Sequence, residues 1–358
     1  MSFKSDFSSL TINAKSHNYE VVIGAGALYE LKNFKDLVVV ADARFKGLLE
    51  KSGVTRCVLI EAFESNKTLI TVENIITELQ THGVRADSTV VAIGGGIIQD
   101  LMTMAASIYM RGISWIYAPT TLLGMTDSCI GGKSSINTKF VKNLIGNIFP
   151  PKKVVIDTDF VRTLSDEDFA CGLAEASKIC FCKGGEEFKK FIELSDGQSP
   201  EEVTHMLEHV LKSKKWFIEI DEFDRSERKH LNFGHSFGHA LEVGSSHKIP
   251  HGLAVASGIK SAIFFESISR DLSAIESELF SYENKLLGRL KDRVMAEHVD
   301  WEKYRDAFNA DKKHSQYLYS LVLPKFGGGV RLEKFDKSEI MLERVVDAQK
   351  SSLSDKSI

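Results

Sequence analysis

The sequence predicts an α/β N-terminal domain, a parallel sheet flanked by helices, followed by a mainly α-helical C-terminal domain. Three observations carry this. Apolar strand-like runs alternate with helical segments through the first half, the pattern of a parallel sheet covered on both faces. After Pro150-Pro151 the texture changes: residues 165–310 hold long helical patterns with many Lys/Glu pairs, and only Pro200 and Pro250 interrupt them. The 358 residues, at roughly 150 per domain, suffice for two domains that each bury a core. The division falls at 1–155 and 156–358.

Taken in order, Leu37-Val38-Val39-Val40-Ala41-Asp42 is an apolar run ending in an acid, as a buried parallel strand reads. Cys57-Val58-Leu59-Ile60 repeats that pattern, and residues 69–83 carry helical periodicity. Ser88–Ile93 is another apolar strand that runs straight into Gly94-Gly95-Gly96. Residues 97–109 read as a helix, Ser114–Pro119 as the next strand, and Val154-Val155-Ile156 as a short one. The polar tail, residues 351–358, reads as frayed.

With 45 Lys+Arg against 49 Asp+Glu the formal net charge is −4, and 43% of residues are hydrophobic. Dominant disorder is excluded, and so is the basic face that nucleic-acid binding requires. No stretch approaches the roughly 18 apolar residues that span a bilayer, and the first residues lack an apolar signal-peptide core. The expected partners therefore include neither nucleic acid nor membrane. The five cysteines are scattered without CxxC spacing, which fits a reducing cytoplasm, and Cys180 and Cys182 read as packing residues.

Chemistry concentrates in a few segments. Gly94-Gly95-Gly96 lies between a strand and a helix, where glycines let backbone approach a diphosphate and the helix N-terminus offers unpaired N–H groups. Its GGGxxxD pattern ends at Asp100, and Asp42 at an earlier strand end can accept ribose hydroxyls. Residues 119–146 interleave apolar residues with Thr120, Thr121, Asp127, Lys133, Lys142, Asn143 and glycines, the composition of an anion cradle. Glu175 and Lys178, three apart, read by spacing alone as an ordinary surface pair. His235 and His239 share a helical face, with His251 following, so three histidines within 17 residues point to a divalent ion. A carboxylate such as Glu175 completes such a site, while spacing leaves open which two histidines are ligands. Lys214 and Arg228 flank an acidic stretch and read by themselves as part of a salt-bridged surface helix.

In their order and spacing, the segments GGGIIQD, YMRG, PTTLLGMTDSCIGGKSSIN, KNLIG, GLAEASK, LNFGHSFGHALE, HGLAVASG and ADKK resemble the 3-dehydroquinate synthases and the wider sugar phosphate cyclases over nearly the whole chain. The resemblance implies an NAD-binding α/β domain and a helical domain that holds a divalent metal, zinc or cobalt, together with substrate. It implies Glu175, His235 and His251 as metal ligands, with His239 on the phosphate side. Asp42, Glu64, Lys67, Gly95, Gly96, Asp100, Thr120, Thr121, Lys142 and Thr163 would contact the cofactor. Asp127, Lys133, Asn143, Lys178, Lys214, Arg228, Asn232, His239 and one lysine of Lys312-Lys313, taken as Lys312, would contact a small phosphorylated sugar acid. Arg111 would reach the substrate of a neighbouring subunit, implying a homodimer.

The implied reaction is a phosphorus–oxygen lyase cycle of transient oxidation, phosphate elimination, reduction and intramolecular aldol closure, with NAD regenerated. Lys214 and Arg228 suit a substrate carboxylate, which favours 3-deoxy-D-arabino-heptulosonate 7-phosphate and the product 3-dehydroquinate, a step of the shikimate pathway to the aromatic amino acids. Two alternatives are another cyclase, acting on sedoheptulose 7-phosphate or a related sugar in secondary or cell-surface metabolism, and a polyol or iron-type alcohol dehydrogenase. The chain departs from the usual family pattern at Gln99, where glycine is usual, at Ser134-Ser135 and Thr138, and at Leu253, where a glutamate is usual.

Overall fold

The computed structural model describes residues 7–29, 37–139, 141–290 and 295–354. The first six residues, and residues 355–358 of the expected frayed tail, lie outside them. The elements run in chain order as β1 (Ser8–Asn13), β2 (Asn18–Gly24), β3 (Val38–Asp42), α1 (Lys46–Lys51), β4 (Cys57–Ile60), α2 (Leu69–Thr81), β5 (Thr89–Gly94), α3 (Gly96–Ile108), β6 (Ser114–Pro119) and β7 (Lys153–Asp157). They continue as α4 (Asp166–Lys183), α5 (Gly185–Leu194), α6 (Pro200–Ile220), α7 (His235–Gly244), α8 (His251–Ser267), α9 (Ala274–Leu287), α10 (Trp301–Asn309), β8 (Leu318–Pro324), β9 (Val330–Asp336) and α11 (Glu339–Ser352).

The chain forms two compact units, and neither is contiguous in sequence. The first comprises Met1–Leu164 with Gly197–Phe223, the second Ser165–Asp196 with Asp224–Ile358. The expected single break at 155/156 therefore differs from the compact units: α6 belongs with the sheet. Its apolar face, Val203, Leu207, Val210 and Leu211 among others, is buried, and it packs on β1 and β2. Amphipathic spacing marks such a face without saying what covers it.

In the first unit, seven described strands form one sheet in the order β1-β2-β7-β6-β5-β3-β4. All neighbours are parallel except the β1/β2 hairpin, which the apolar runs did not announce. Every residue of β3 is buried, as are all but the first of β5, because a parallel sheet has both faces covered. One face packs Val22, Val39, Ala41, Val91, Ile93, Ile116 and Val155 together. Each such side chain removed from water contributes on the order of 1.5–3 kcal/mol. Between β3 and β5 the connections leave in opposite directions, so the carboxyl ends of these two strands flank the switch point where open α/β sheets bind ligands.

The second unit is a helical bundle with one appended hairpin, β8/β9, that the sequence reading did not anticipate. Helices α7 and α8 approach very closely. A Cβ on Gly258 of α8 would lie 2.0 Å from the Gly234 carbonyl oxygen and 2.8 Å from the Gly238 nitrogen. Gly234 also stands in left-handed backbone (φ 75°) immediately before α7. This approach brings the first residues of the two helices, His235 and His251, to a ring separation of 5.5 Å. The tail is more ordered than expected where it is described, since α11 ends at Ser352 and both Ser352 and Leu353 are buried.

A polar seam runs through this bundle. Lys260 donates to the Asn284 side chain and to the Ser352 carbonyl, both at 2.7 Å, while Gln349 donates to Ser257 and Ser352. Glu283 is fully buried and accepts from the Ser177 hydroxyl. Burial pushes its carboxyl up to about 8, with the Glu175 charge adding to the rise while Ser177 and Lys260 oppose it.

Two outcomes follow from this packing. Gly258→Ala forces the helices apart and should cost at least about 2 kcal/mol in thermal or denaturant unfolding; unchanged stability would mean that α7 and α8 yield easily. A carboxyl raised on folding binds a proton that the unfolded chain releases. The stability that Glu283 contributes is thus complete below 4.5, falls by about 1.4 kcal/mol per pH unit and is gone above about 8. Melting curves between pH 5 and 8.5 should show a flatter pH dependence for Glu283→Gln than for the unsubstituted chain.

Candidate active site

At the first unit's switch point, β5 ends in Gly94 and turns through Gly95 into α3 at Gly96. A Cβ on Gly96 would meet nothing nearer than the Ser128 hydroxyl at 3.9 Å, whereas one on Gly95 would crowd Thr121 at 3.1 Å. The helix N-terminus therefore presents bare backbone into open space, a cradle that fits a diphosphate. Thr120 and Thr121 follow β6 beside it, and the Thr120 N–H donates to the Gly94 carbonyl at 3.1 Å. Asp42 closes β3, but its carboxylate caps the next turn through the Arg44 N–H at 3.1 Å and pairs with the Arg44 guanidinium at 2.8 Å.

Lys67 stands at the centre of a polar cluster over α3. Its buried ammonium lies 2.7 Å from Asn143 Oδ1, 3.2 Å from Asp100 and 3.3 Å from Glu64. Burial raises the Asp100 carboxyl to about 6, against the lowering pull of Lys67 and of the Ser135 N–H. Asn137, which spacing did not single out, ties the cluster together. It donates to Glu64 Oε1 at 2.8 Å and accepts from the Asn143 N–H at 2.9 Å. Asn143 itself stands in left-handed backbone (φ 55°). Asp127 sits in a single π-helical turn, Gly124–Ser128, and pairs with Lys214 of α6 at 2.7 Å. Lys214 is buried, so the plain reading of a surface helix is corrected for it.

Four of the expected residues of this unit, Lys133, Lys142, Thr163 and Arg111, are exposed. Thr163 donates to the Phe160 carbonyl at 2.9 Å. Arg111 and Met110 have φ of 66° and 49°, consecutive left-handed residues at the end of the α3 turn, a conformation that costs energy and clusters at functional sites.

The second unit gathers the metal-type ligands. Glu175 of α4 is fully buried and ion-paired with Lys178, also buried, so the surface-pair reading of this i,i+3 spacing is corrected. The Nε2 atoms of His235 and His251 lie 3.7 and 3.5 Å from Glu175 Oε1. Both rings are held from behind: His235 Nδ1 donates to the Phe233 carbonyl at 3.1 Å and His251 Nδ1 to Glu242 Oε1 at 2.7 Å. Each Nε2 thereby faces the same carboxylate, the arrangement in which ligating histidines are oriented by second partners. Desolvation works against the charged form of His251, but Glu175 and Glu242 outweigh it and raise the imidazole to about 10. For His235, burial and the nearby Lys178 charge depress it.

Ligand-type nitrogens of His235, His239 and His251 all lie within 4.8 Å of one another. With Glu175 this donor set fits a borderline divalent ion such as zinc or cobalt. His239 differs from the other two, because its Nδ1 faces the Lys313 ammonium at 3.5 Å and Lys313 pairs with Asp311 at 2.6 Å. Of the two adjacent lysines, Lys313 reaches this cluster, while the expected Lys312 is exposed. Arg228 is buried, so the surface reading is corrected for it too, and the Asn232 amide donates to the Lys229 carbonyl at 3.0 Å. Glu242 escaped the sequence reading although it lies three residues beyond His239 on the same helical face. It supplies a carboxylate beside His251 in a chain where Leu253 stands in place of a glutamate.

Comparison with known proteins agrees in both halves. The family model described as the 3-dehydroquinate synthase N-terminal region matches residues 57–171, and the C-terminal model matches residues 172–314. A 3-dehydroquinate synthase of Campylobacter concisus is 37% identical over 345 residues, 93% of this chain and 97% of that protein. Among solved structures, 2-deoxy-scyllo-inosose synthase complexed with carbaglucose-6-phosphate, NAD+ and Co2+ superposes with a TM-score of 0.83 at 19% identity, covering 96% of this chain and 99% of the other. A 2-epi-5-epi-valiolone synthase from Streptomyces hygroscopicus with NAD+ and Zn2+ bound gives 0.79 at 24% identity, over 94% and 96%. At these identities the structures establish the shared fold.

Removing the support behind His251 should weaken metal binding without removing a ligand. Glu242→Ala is expected to lower zinc affinity about 10- to 100-fold in competition with a chelator, and Glu242→Gln, whose amide oxygen still accepts from Nδ1, should recover part of it. Equal affinity in all three proteins would exclude the orienting role.

Proposed function

Because the chain belongs to the 3-dehydroquinate synthase family of lyase-type sugar phosphate cyclases, we propose that it converts 3-deoxy-D-arabino-heptulosonate 7-phosphate to 3-dehydroquinate and phosphate, with NAD and a divalent metal as cofactors. The observation that carries this reading is the Glu175, His235 and His251 donor set, with both imidazoles oriented from behind. When bound, NAD supplies transient oxidation of the substrate alcohol and the metal supplies Lewis-acid polarisation of its hydroxyls.

The residues of the chain take complementary tasks. The Gly95-Gly96 backbone at the start of α3 would hold the cofactor diphosphate, with Thr120, Thr121 and the Lys67 cluster beside it. For Asp42 to reach a ribose, its carboxylate has to share or exchange the Arg44 contact. Lys142 and Thr163 are candidate cofactor contacts of the same unit. Lys133, Asn143, Asn232, His239 and Lys313 would carry the charge of the leaving phosphate, which takes a proton from the adjacent carbon as the C–O bond breaks. Asp127 and Lys178 would bind substrate hydroxyls, each already paired with a partner of opposite charge. Lys214 and Arg228 are the candidates for the substrate carboxylate: a bidentate guanidinium and a point charge suit one planar anion.

The first unit would thus carry NAD and the second the metal. Arg111, exposed and in a strained turn, is the candidate that reaches a second copy in a homodimer. Five free thiols accord with a cytoplasmic setting, and no helix among the described residues is long and apolar enough to cross a membrane.

The test is phosphate release from a panel of C6 and C7 sugar phosphates with NAD+ and Zn2+ or Co2+. Phosphate from the deoxyheptulosonate without net NADH is the expected result. Phosphate only from sedoheptulose 7-phosphate would redirect the assignment to another cyclase, and NADH accumulating from a polyol would make the protein a dehydrogenase. His251→Ala should abolish both turnover and tight metal binding.

A further inference from the structure

We propose that Gln99 is a positioning residue that sets the direction of Lys133 and, through it, the affinity for a phosphate-bearing substrate. The inference rests on the reading of Lys133 as a phosphate contact. Gln99 lies in the first turn of α3 and is buried, only 3% exposed. Its amide nitrogen donates to the Lys133 carbonyl at 2.7 Å and to the Thr103 hydroxyl at 2.9 Å. With both amide hydrogens engaged, the side chain is confined to one orientation, and the carbonyl it holds is confined with it.

The next residue completes a grip on the same stretch of backbone. Asp100 Oδ1 accepts from the Ser135 N–H at 2.9 Å, so the peptide groups on either side of Ser134 are held from one helix at two points. Ser134 is tied on its other side, its N–H donating to the Asn147 carbonyl at 2.9 Å and its hydroxyl to Asn147 Oδ1 at 2.7 Å. Lys133 itself forms an antiparallel bridge with Ile148. An exposed lysine thus springs from backbone that cannot turn, and its Cα–Cβ direction is set before any ligand arrives. A lysine carries roughly 2 kcal/mol of side-chain entropy, and a fixed base restricts where that freedom is spent. In a chain with glycine at position 99, nothing on α3 would donate to the Lys133 carbonyl. Here glutamine does so, in the same segment where Ser135 stands in place of the usual glycine.

The experiment is a double-mutant cycle between Gln99→Met, which keeps length but removes the donor, and Lys133→Ala, on the full chain with its cofactors. Each single change should raise KM for the sugar phosphate about 5- to 20-fold, with kcat for Gln99→Met within about 2-fold and KM for NAD+ unchanged. The double variant should be within about 2-fold of Lys133→Ala alone, because the glutamine acts only through the lysine. Multiplicative losses in the double variant, or an unchanged KM in Gln99→Met, would overturn the proposal. If Gln99→Met does not fold, Gln99→Asn, which withdraws the amide by one methylene, takes its place in the same cycle. If the unsubstituted protein turns over no phosphorylated sugar acid, the functional reading fails by itself. The coupling is then read from calorimetric binding of inorganic phosphate to the same four proteins, where coupled losses support the positioning role and independent losses or none refute it.

Discussion

A carboxylate with no exposed surface has to be compensated, and Glu175 pairs through one oxygen with the buried Lys178 ammonium while its other oxygen faces the Nε2 atoms of His235 and His251 at 3.7 and 3.5 Å. The low local dielectric makes such a group costly when its partners are absent and strongly orienting when they are present. Much of the second unit follows from this constraint. Helix α4 supplies the carboxylate and its lysine within one turn, while α7 and α8 begin at the two histidines. The glycines at 234, 238 and 258 let those helices come close enough for their first residues to face one acid. Glu242 and the Phe233 carbonyl then fix which nitrogen each ring offers. A divalent ion entering this set would meet side chains whose directions the packing has already chosen.

The first unit solves a different problem by the same means. Its glycine turn must stay open, so the polar groups around it are satisfied by one another. Lys67 is shared by Glu64, Asp100 and Asn143, and Asn137 binds two of those partners together. The residues that hold charge are thus separate from the bare backbone that receives it. That separation explains why the bulk charge of −4 says so little about the site.

The strands were legible because a parallel sheet buries both faces and leaves near-continuous apolar runs; β3, β4, β5, β6 and β7 fall within two residues of their expected limits. The β1/β2 and β8/β9 hairpins are not legible in the sequence, since half-buried alternation such as that of Val330–Asp336 resembles any mixed segment. Spacing also does not report depth. Glu175 and Lys178 look like an ordinary surface pair until the bundle closes over them, and Lys214 and Arg228 likewise. Adjacent lysines defeat sequence reasoning for a similar reason: Lys312 and Lys313 are equivalent in composition, and only the fold distinguishes the one that meets His239. The side chains around the site that the sequence does not announce, Glu242, Asn137 and Asp311, contact it through other side chains, and so have no motif of their own. The role of Gln99 was hidden in the same way, although its place as a departure from the usual glycine was visible.

The path of the chain between the two units has a consequence for how the protein can be made. The backbone leaves the first unit after Leu164, returns at Gly197 and leaves again after Phe223. A nascent chain that has emerged only to residue 164 holds every strand of the large sheet but lacks α6, so the apolar surface on β1 and β2 waits uncovered until Ile220 has been synthesised. During that interval α4 and α5 are already present, with most of their own partners still to come. Maturation of the sheet is therefore tied to completion of an insertion about 60 residues downstream, and neither unit can be excised as a continuous fragment with its core intact.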